Sequence, residues 1–142
     1  MKKIITLLAV FLMGTASVFA QYDVDVAWFY AAPFYCQSEL TADYEFNITL
    51  EVYDVVNDEQ VVLVTNTVDW DETGTTFTAA QTGIQDWCIK ATKTPSLRIS
   101  VLVEMALISD PDDVYCYKYG IQYNKTCNWF SSNTVSFNLT FN

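Results

Sequence analysis

From residue 22 onward, apolar and polar side chains alternate with a period of two along most of the chain. A segment patterned that way can bury one face of a strand but cannot line up one stripe of a helix. Tyr22, Val24, Val26 and Trp28 alternate with Asp23, Asp25 and Ala27. Tyr44, Phe46, Ile48, Leu50 and Val52 alternate with Glu45, Asn47, Thr49 and Glu51. A β-branched run from Val61 to Val68 follows the polar stretch Asn57-Asp58-Glu59-Gln60. Residues 75–79 and 87–92 are shorter strand candidates, separated by Gln81-Thr82-Gly83. Leu97, Ile99, Val101, Val103, Met105 and Leu107 predict a long strand. Tyr115, Tyr117, Tyr119, Ile121 and Tyr123 predict the next, and Val135, Phe137, Leu139 and Phe141 the last. No segment carries convincing helical periodicity. The pattern predicts an all-β chain, a single antiparallel β-sandwich of about seven or eight strands.

Residues 4–13 are the exception to the alternation: an almost wholly apolar run directly behind Lys2 and Lys3. A basic start, a short apolar run and small residues before Gln21 predict a secretory signal. Val18 and Ala20 place the cleavage after Ala20, so residues 1–20 are read as signal peptide and 21–142 as one domain. The run is shorter than the about 20 apolar residues that span a bilayer. The protein is therefore expected to be secreted and not membrane-spanning.

Losing the signal removes Lys2 and Lys3, which leaves 5 basic side chains against 17 acidic ones, a net charge of −12. Such a surface repels phosphates, which argues against nucleic-acid partners. The chain has no histidine. That rules out a Ser-His-Asp triad, a Cys-His dyad and the usual zinc sites. Paired carboxylates could still do acid–base work, but short loops leave little room for a cleft, so the chain is not expected to be an enzyme.

Cys36, Cys88, Cys116 and Cys127 are an even number in a chain expected to be exported, and they predict two disulfides. Three connectivities are open. Cys116–Cys127 with Cys36–Cys88 is preferred, because it closes one local loop and one long one. No two cysteines stand at metal-ligand or redox spacing.

Ala42-Asp43-Tyr44, Trp70-Asp71-Glu72 and Leu97-Arg98-Ile99-Ser100-Val101 occur in the order of C2-domain strand motifs and resemble them. Val103 and Met105 stand where that pattern puts an acidic pair. Pro95-Ser96-Leu97-Arg98-Ile99 with Tyr115-Cys116-Tyr117 resembles the end of an MD-2-related lipid-recognition domain, which implies an apolar ligand between two sheets. That family's upstream Cys-Pro segment is missing here, and residues 124–142 are left over. The two resemblances compete for Leu97–Ile99, and neither is taken as membership.

Two acidic segments are candidate cation sites. Asp69, Asp71 and Thr73 place oxygen ligands at alternate positions before Gly74, like the opening half of a calcium loop, but Ala80 stands where the bidentate glutamate belongs. Asp110, Asp112 and Asp113 form the second. Calcium is an optional ligand on this reading and no cofactor is required, since ordinary turn chemistry accounts for the same residues.

Trp70, inside an acidic turn, and Trp129-Phe130, between Asn128 and Ser131, are the candidate binding residues. Loop aromatics beside Asn and Asp suit a sugar or a protein surface. The row Tyr115, Tyr117, Tyr119 and Tyr123 is expected to face inward, because Cys116, Lys118, Gly120 and Gln122 are the more polar set. Asn47, Asn124 and Asn138 open N-glycosylation sequons. Strands at both ends of the domain could also add to a neighbour's sheet. The expected function is a secreted recognition or adhesion module for an extracellular protein or glycan. A self-assembling structural subunit and a small lipid-binding protein are the alternatives.

Overall fold

A computed structural model describes residues 22–31, 36, 40–127 and 133–142. The expected signal segment, Trp129 and Phe130 lie outside the described residues. The chain is mostly β. Its described strands are β1 (Tyr22–Tyr30), β2 (Tyr44–Asp54), β3 (Glu59–Asp69), β4 (Gly74–Phe77), β5 (Leu97–Leu107), β6 (Asp110–Lys125) and β7 (Asn133–Phe141). They form two sheets, ordered β4-β1-β7 and β3-β2-β5-β6.

In the larger sheet every pair is antiparallel. Phe46, Ile48, Leu50 and Val52 of β2 point into the core beside Ile99, Val101, Val103 and Met105 of β5, and all are fully buried. Val24, Val26 and Trp28 of β1 meet them from the smaller sheet, together with Val135, Phe137, Leu139 and Phe141 of β7. Trp28 and Phe46 are in contact across the core, ring centres 5.3 Å apart. Each such buried side chain contributes about 1.5–3 kcal/mol of transfer free energy before entropy is counted. The alternation along the chain thus becomes two inner faces packed on one another.

Three expectations are corrected. The smaller sheet is not wholly antiparallel: β1 and β7 run parallel, from Tyr22↔Asn133 to Tyr30↔Phe141. Parallel neighbours need a long crossover, and here the whole of β2–β6 supplies it. Residues 87–92 are not a strand. Two short helices, α1 (Ala79–Thr82) and α2 (Ile84–Lys90), follow β4. The Thr78 amide donates to Gln81 Oε1 at 2.9 Å at the start of α1. Gly83 joins the helices at φ 64°, a left-handed conformation that glycine adopts without strain. The signal for α2 is present in the sequence: Ile84, Trp87 and Cys88, spaced i, i+3, i+4, are its inward residues. Finally, Asp110-Pro111-Asp112-Asp113 is not the hairpin turn. Leu107 pairs with Asp110 around Ile108-Ser109, and the acidic segment already belongs to β6. Pro111 is tolerated there because β6 is the last strand of its sheet.

The disulfides also differ from the preferred pairing. Cys36 bonds Cys116, and Cys88 bonds Cys127. Their Cα atoms lie 6.5 and 5.9 Å apart, within disulfide reach. Proximity in sequence is the wrong guide, because Cys116 points inward on β6 while Cys127 follows the far end of the same strand.

Asp54 closes β2. It is fully buried, and its carboxylate accepts from the Val56 and Asn57 amides at 2.9 and 3.2 Å and from the Asn57 side-chain amide. These bonds shape the turn that leads to Asp58, at φ 56°.

Candidate functional site

The outward side chains of the larger sheet follow directly from its register. Tyr117 on β6 stands beside Glu104 on β5, Tyr119 beside Leu102, and Ile121 beside Ser100. Tyr117, Tyr119 and Tyr123 are 68%, 52% and 60% exposed. Tyr115 sits where the β5–β6 register shifts, 45% exposed, with its ring edge-on to Tyr44 at 5.9 Å. Tyr117, Tyr119 and Tyr123 therefore face outward, opposite to the expectation.

The inward set explains why. Cys116 is tied to Cys36. Lys118 Nζ reaches Asn142 Oδ1 at 2.9 Å, and Gln122 Nε2 donates to the Ser136 carbonyl at 2.7 Å. At Gly120 a Cβ atom would lie 2.8 Å from Phe137 Cδ1 and 2.9 Å from Leu139 Cδ2. This face of β6 closes against β7, so it takes residues that are small, bridging or disulfide-bonded, and a tyrosine ring does not fit.

Beyond β6 the outer face is largely polar and internally bonded, apart from Leu63 on β3, 62% exposed, and half-buried Leu102 on β5. Thr49 and Thr65 share a hydroxyl hydrogen bond at 3.1 Å, and Thr67 Oγ1 donates to Asn47 Oδ1 at 2.6 Å. Arg98 Nη2 pairs with Glu51 Oε2 at 3.1 Å while its guanidinium lies 4.6 Å from the Tyr53 ring centre. Ser100 Oγ donates to the same Glu51 oxygen at 3.1 Å. The Tyr53 hydroxyl donates to Asp58 Oδ1, which holds its pKa above the usual 10.0. The smaller sheet's outer face carries Asp25, Thr76, Ser136 and Asn138, with Thr76 Oγ1 donating to Asp25 Oδ1 at 2.8 Å. Among the described residues, exposed aromatic side chains are most numerous on β6, with Phe29 on β1, 53% exposed, and Trp70 lying apart from them.

Both disulfides hold that strand. Cys36–Cys116 ties it to the β1–β2 connection, and Cys88–Cys127 ties the chain just past its end to α2. Two covalent anchors flank Tyr117, Tyr119 and Tyr123, so the rings sit on a backbone already held in place, and a partner pays less ordering entropy on binding.

The other candidate residues are distributed as follows. Trp70 lies in the β3–β4 turn, at 36% exposure, and the Glu72 amide donates to the Asp69 carbonyl there. Asp69 ends β3; Asp71 and Thr73 are exposed in the turn; Asp110, Asp112 and Asp113 are exposed on β6. Both acidic segments lie at one end of the larger sheet, but β2 and β5 separate them. Three strand spacings put them roughly 14 Å apart, too far to share one ion. Among the described residues no group of three or more His, Cys, Asp or Glu side chains is arranged to hold a metal ion. Of the sequons, Asn124 is exposed at φ 57° just before the end of β6, and Asn138 is exposed on β7. Asn47 is half-buried on β2. A cleft of about 260 Å³ opens beside Tyr115 and Tyr117, lined also by Cys36, Cys116, Lys118, Phe141 and Asn142.

The signal for the outward tyrosines lies in the inward set of β6. A glycine and a cysteine among its inward residues mark the face where another backbone approaches or a bridge forms. No family model, curated protein or solved structure matches the chain. Among the described residues no helix is long and apolar enough to cross a membrane.

Proposed function

We propose that the chain is a secreted, non-enzymatic recognition module, a single β-sandwich that binds an extracellular protein or glycan through the outer face of β6. The observation that carries this reading is the exposed row Tyr117, Tyr119 and Tyr123, flanked along the chain by the disulfide-bonded Cys116 and Cys127. Tyrosine offers a large, stiff contact area with a polar tip, which suits specific surface recognition. Two disulfide pairs are in keeping with an oxidising compartment.

Binding on a face is also favoured over the two alternatives. Trp28, Phe46, Phe137 and Phe141 occupy the space between the sheets where a lipid would sit. Side-chain bridges from Asn66 to Thr75, and from Gln122 to Ser136, occupy the margins where a neighbour's strand would add.

The test is a binding screen of the secreted protein against extracellular glycans and surface proteins, repeated with Tyr117→Ser/Tyr119→Ser. The double variant should melt like the parent, because both rings are exposed, and should lose the bound partner. Binding that survives it would remove this face from the function. Sedimentation over a range of concentrations completes the test. A monomer supports the module, whereas concentration-dependent oligomers would favour the structural subunit.

A further inference from the structure

The outer face contains the same local chemistry twice, once filled and once open. On β2, Glu51 and Tyr53 hold Arg98: the carboxylate takes the guanidinium at 3.1 Å and the ring lies 4.6 Å from it. At the β5–β6 boundary, Glu104 and Tyr117 are cross-strand partners. Their Cβ atoms are therefore about 5 Å apart. This is again a carboxylate beside a tyrosine ring, and among the described residues no cation joins it. Tyr117 is 68% exposed and Glu104 is half-buried beside it, so the pair can be reached from solvent.

The distribution of charge points the same way. Asp110, Asp112 and Asp113 lead into the tyrosine row, and Glu45 follows Glu104 toward the same end of the sheet. Of the five basic side chains beyond residue 20, Arg98 is engaged, Lys118 bonds Asn142 on the inward side of β6, and Lys90, Lys93 and Lys125 lie toward the opposite end. A ring face attracts a cation, most strongly guanidinium, and a carboxylate beside it supplies the ion pair.

We propose that the tyrosine row recognises a cationic, arginine-bearing polypeptide segment, one arginine stacking on Tyr117 against Glu104 as Arg98 does on Tyr53 against Glu51. This rests on the reading of the β6 face as a recognition surface and names its partner's chemistry. A segment lying along β6 meets Tyr119 next, and the aspartates at the start of the strand draw further basic residues toward that end. Neutral peptides lack both terms.

The experiment titrates the folded protein with a hexa-arginine peptide and, separately, with a glycine-serine peptide of equal length, following amide and tyrosine-ring NMR shifts. The expected result is saturable shifts at Tyr117, Glu104 and Tyr119 with hexa-arginine alone, weakening as salt is raised. Tyr117→Leu, which keeps apolar area but removes the aromatic ring, should weaken binding roughly two- to fivefold. Glu104→Gln should weaken it by a similar factor, and by more than Asp25→Asn, which removes an equal charge from the other sheet. Equal effects of Glu104→Gln and Asp25→Asn, or no effect of Tyr117→Leu, would show diffuse attraction to an acidic protein and overturn the proposal. Absent hexa-arginine shifts, with a glycan or neutral protein still lost on Tyr117→Ser/Tyr119→Ser, would overturn the cationic partner while leaving the recognition face intact.

Discussion

Replacing Gly120 with alanine places one methyl group where β6 closes on β7. The new carbon would start 2.8 Å from Phe137 Cδ1, 2.9 Å from Leu139 Cδ2 and 3.3 Å from Phe137 Cε1. Leucine can turn a terminal methyl aside, but the Phe137 ring is buried in the core and has little room to move. Overpacking of this kind costs about 1–3 kcal/mol. Alanine also restricts the unfolded chain, which returns about 0.4–1 kcal/mol. The net loss is about 1–2 kcal/mol, and for a domain of this size that lowers the melting temperature by roughly 4–8 °C. Thermal melts followed by circular dichroism, with urea titrations to confirm an unchanged slope, measure it. Leu139→Ala on the Gly120→Ala background should cost less than on the parent, because it vacates space the methyl needs. A melting temperature at or above the parent's would mean that β7 does not press on this face. Steric exclusion would then no longer account for the tyrosines pointing outward.

Three further outcomes are expected. Non-reducing digestion should yield peptides joining Cys36 to Cys116 and Cys88 to Cys127. Serine replacement of the second pair, which closes a 39-residue separation, should cost about 4 kcal/mol on the chain-entropy account, and a Cys36–Cys88 peptide would refute the pairing. Asp54→Ala should cost about 2–3 kcal/mol in urea denaturation, since it strips the Val56 and Asn57 amides of their acceptor, and an unchanged midpoint would mean the turn holds without it. Burial raises the Tyr30 phenol above the usual 10.0, with the neighbouring Trp28 indole acting in the opposite direction. The fold favours the neutral phenol, so this stabilisation is complete below about pH 10 and is lost as pH rises through the folded value. Tyr30→Phe should therefore flatten the alkaline limb of a stability–pH curve, and an identical limb in both proteins would refute it.

The strands are legible because the period of two is a local property. Tyr44–Val52 and Leu97–Leu107 alternate so regularly that any fold burying one side of each must make them strands. Helix α2 is harder to read: its seven residues carry a single turn's worth of inward spacing. Of the candidate site, Trp70 and the acidic segments are exposed surface, as their sequence context suggests, yet the acidic segments end on the two outermost strands of one sheet. The tyrosines of β6 stand out as a row in the sequence, but polarity alone assigns them to the wrong side.

The reversal of that row separates what the two levels of information can decide. Local sequence was enough for the long strands, the even set of cysteines and the acidic excess, since these depend on composition and on neighbours one or two residues away, but not for Ile84–Lys90, which form α2. It determined as well that one face of β6 is aromatic and the other is not. Which face is buried was decided only in three dimensions, by β7 arriving close enough to exclude a Cβ at Gly120 and by Cys36 reaching Cys116 across 80 residues. Alternation is symmetric between the two sides of a strand, and only a packed neighbour breaks that symmetry.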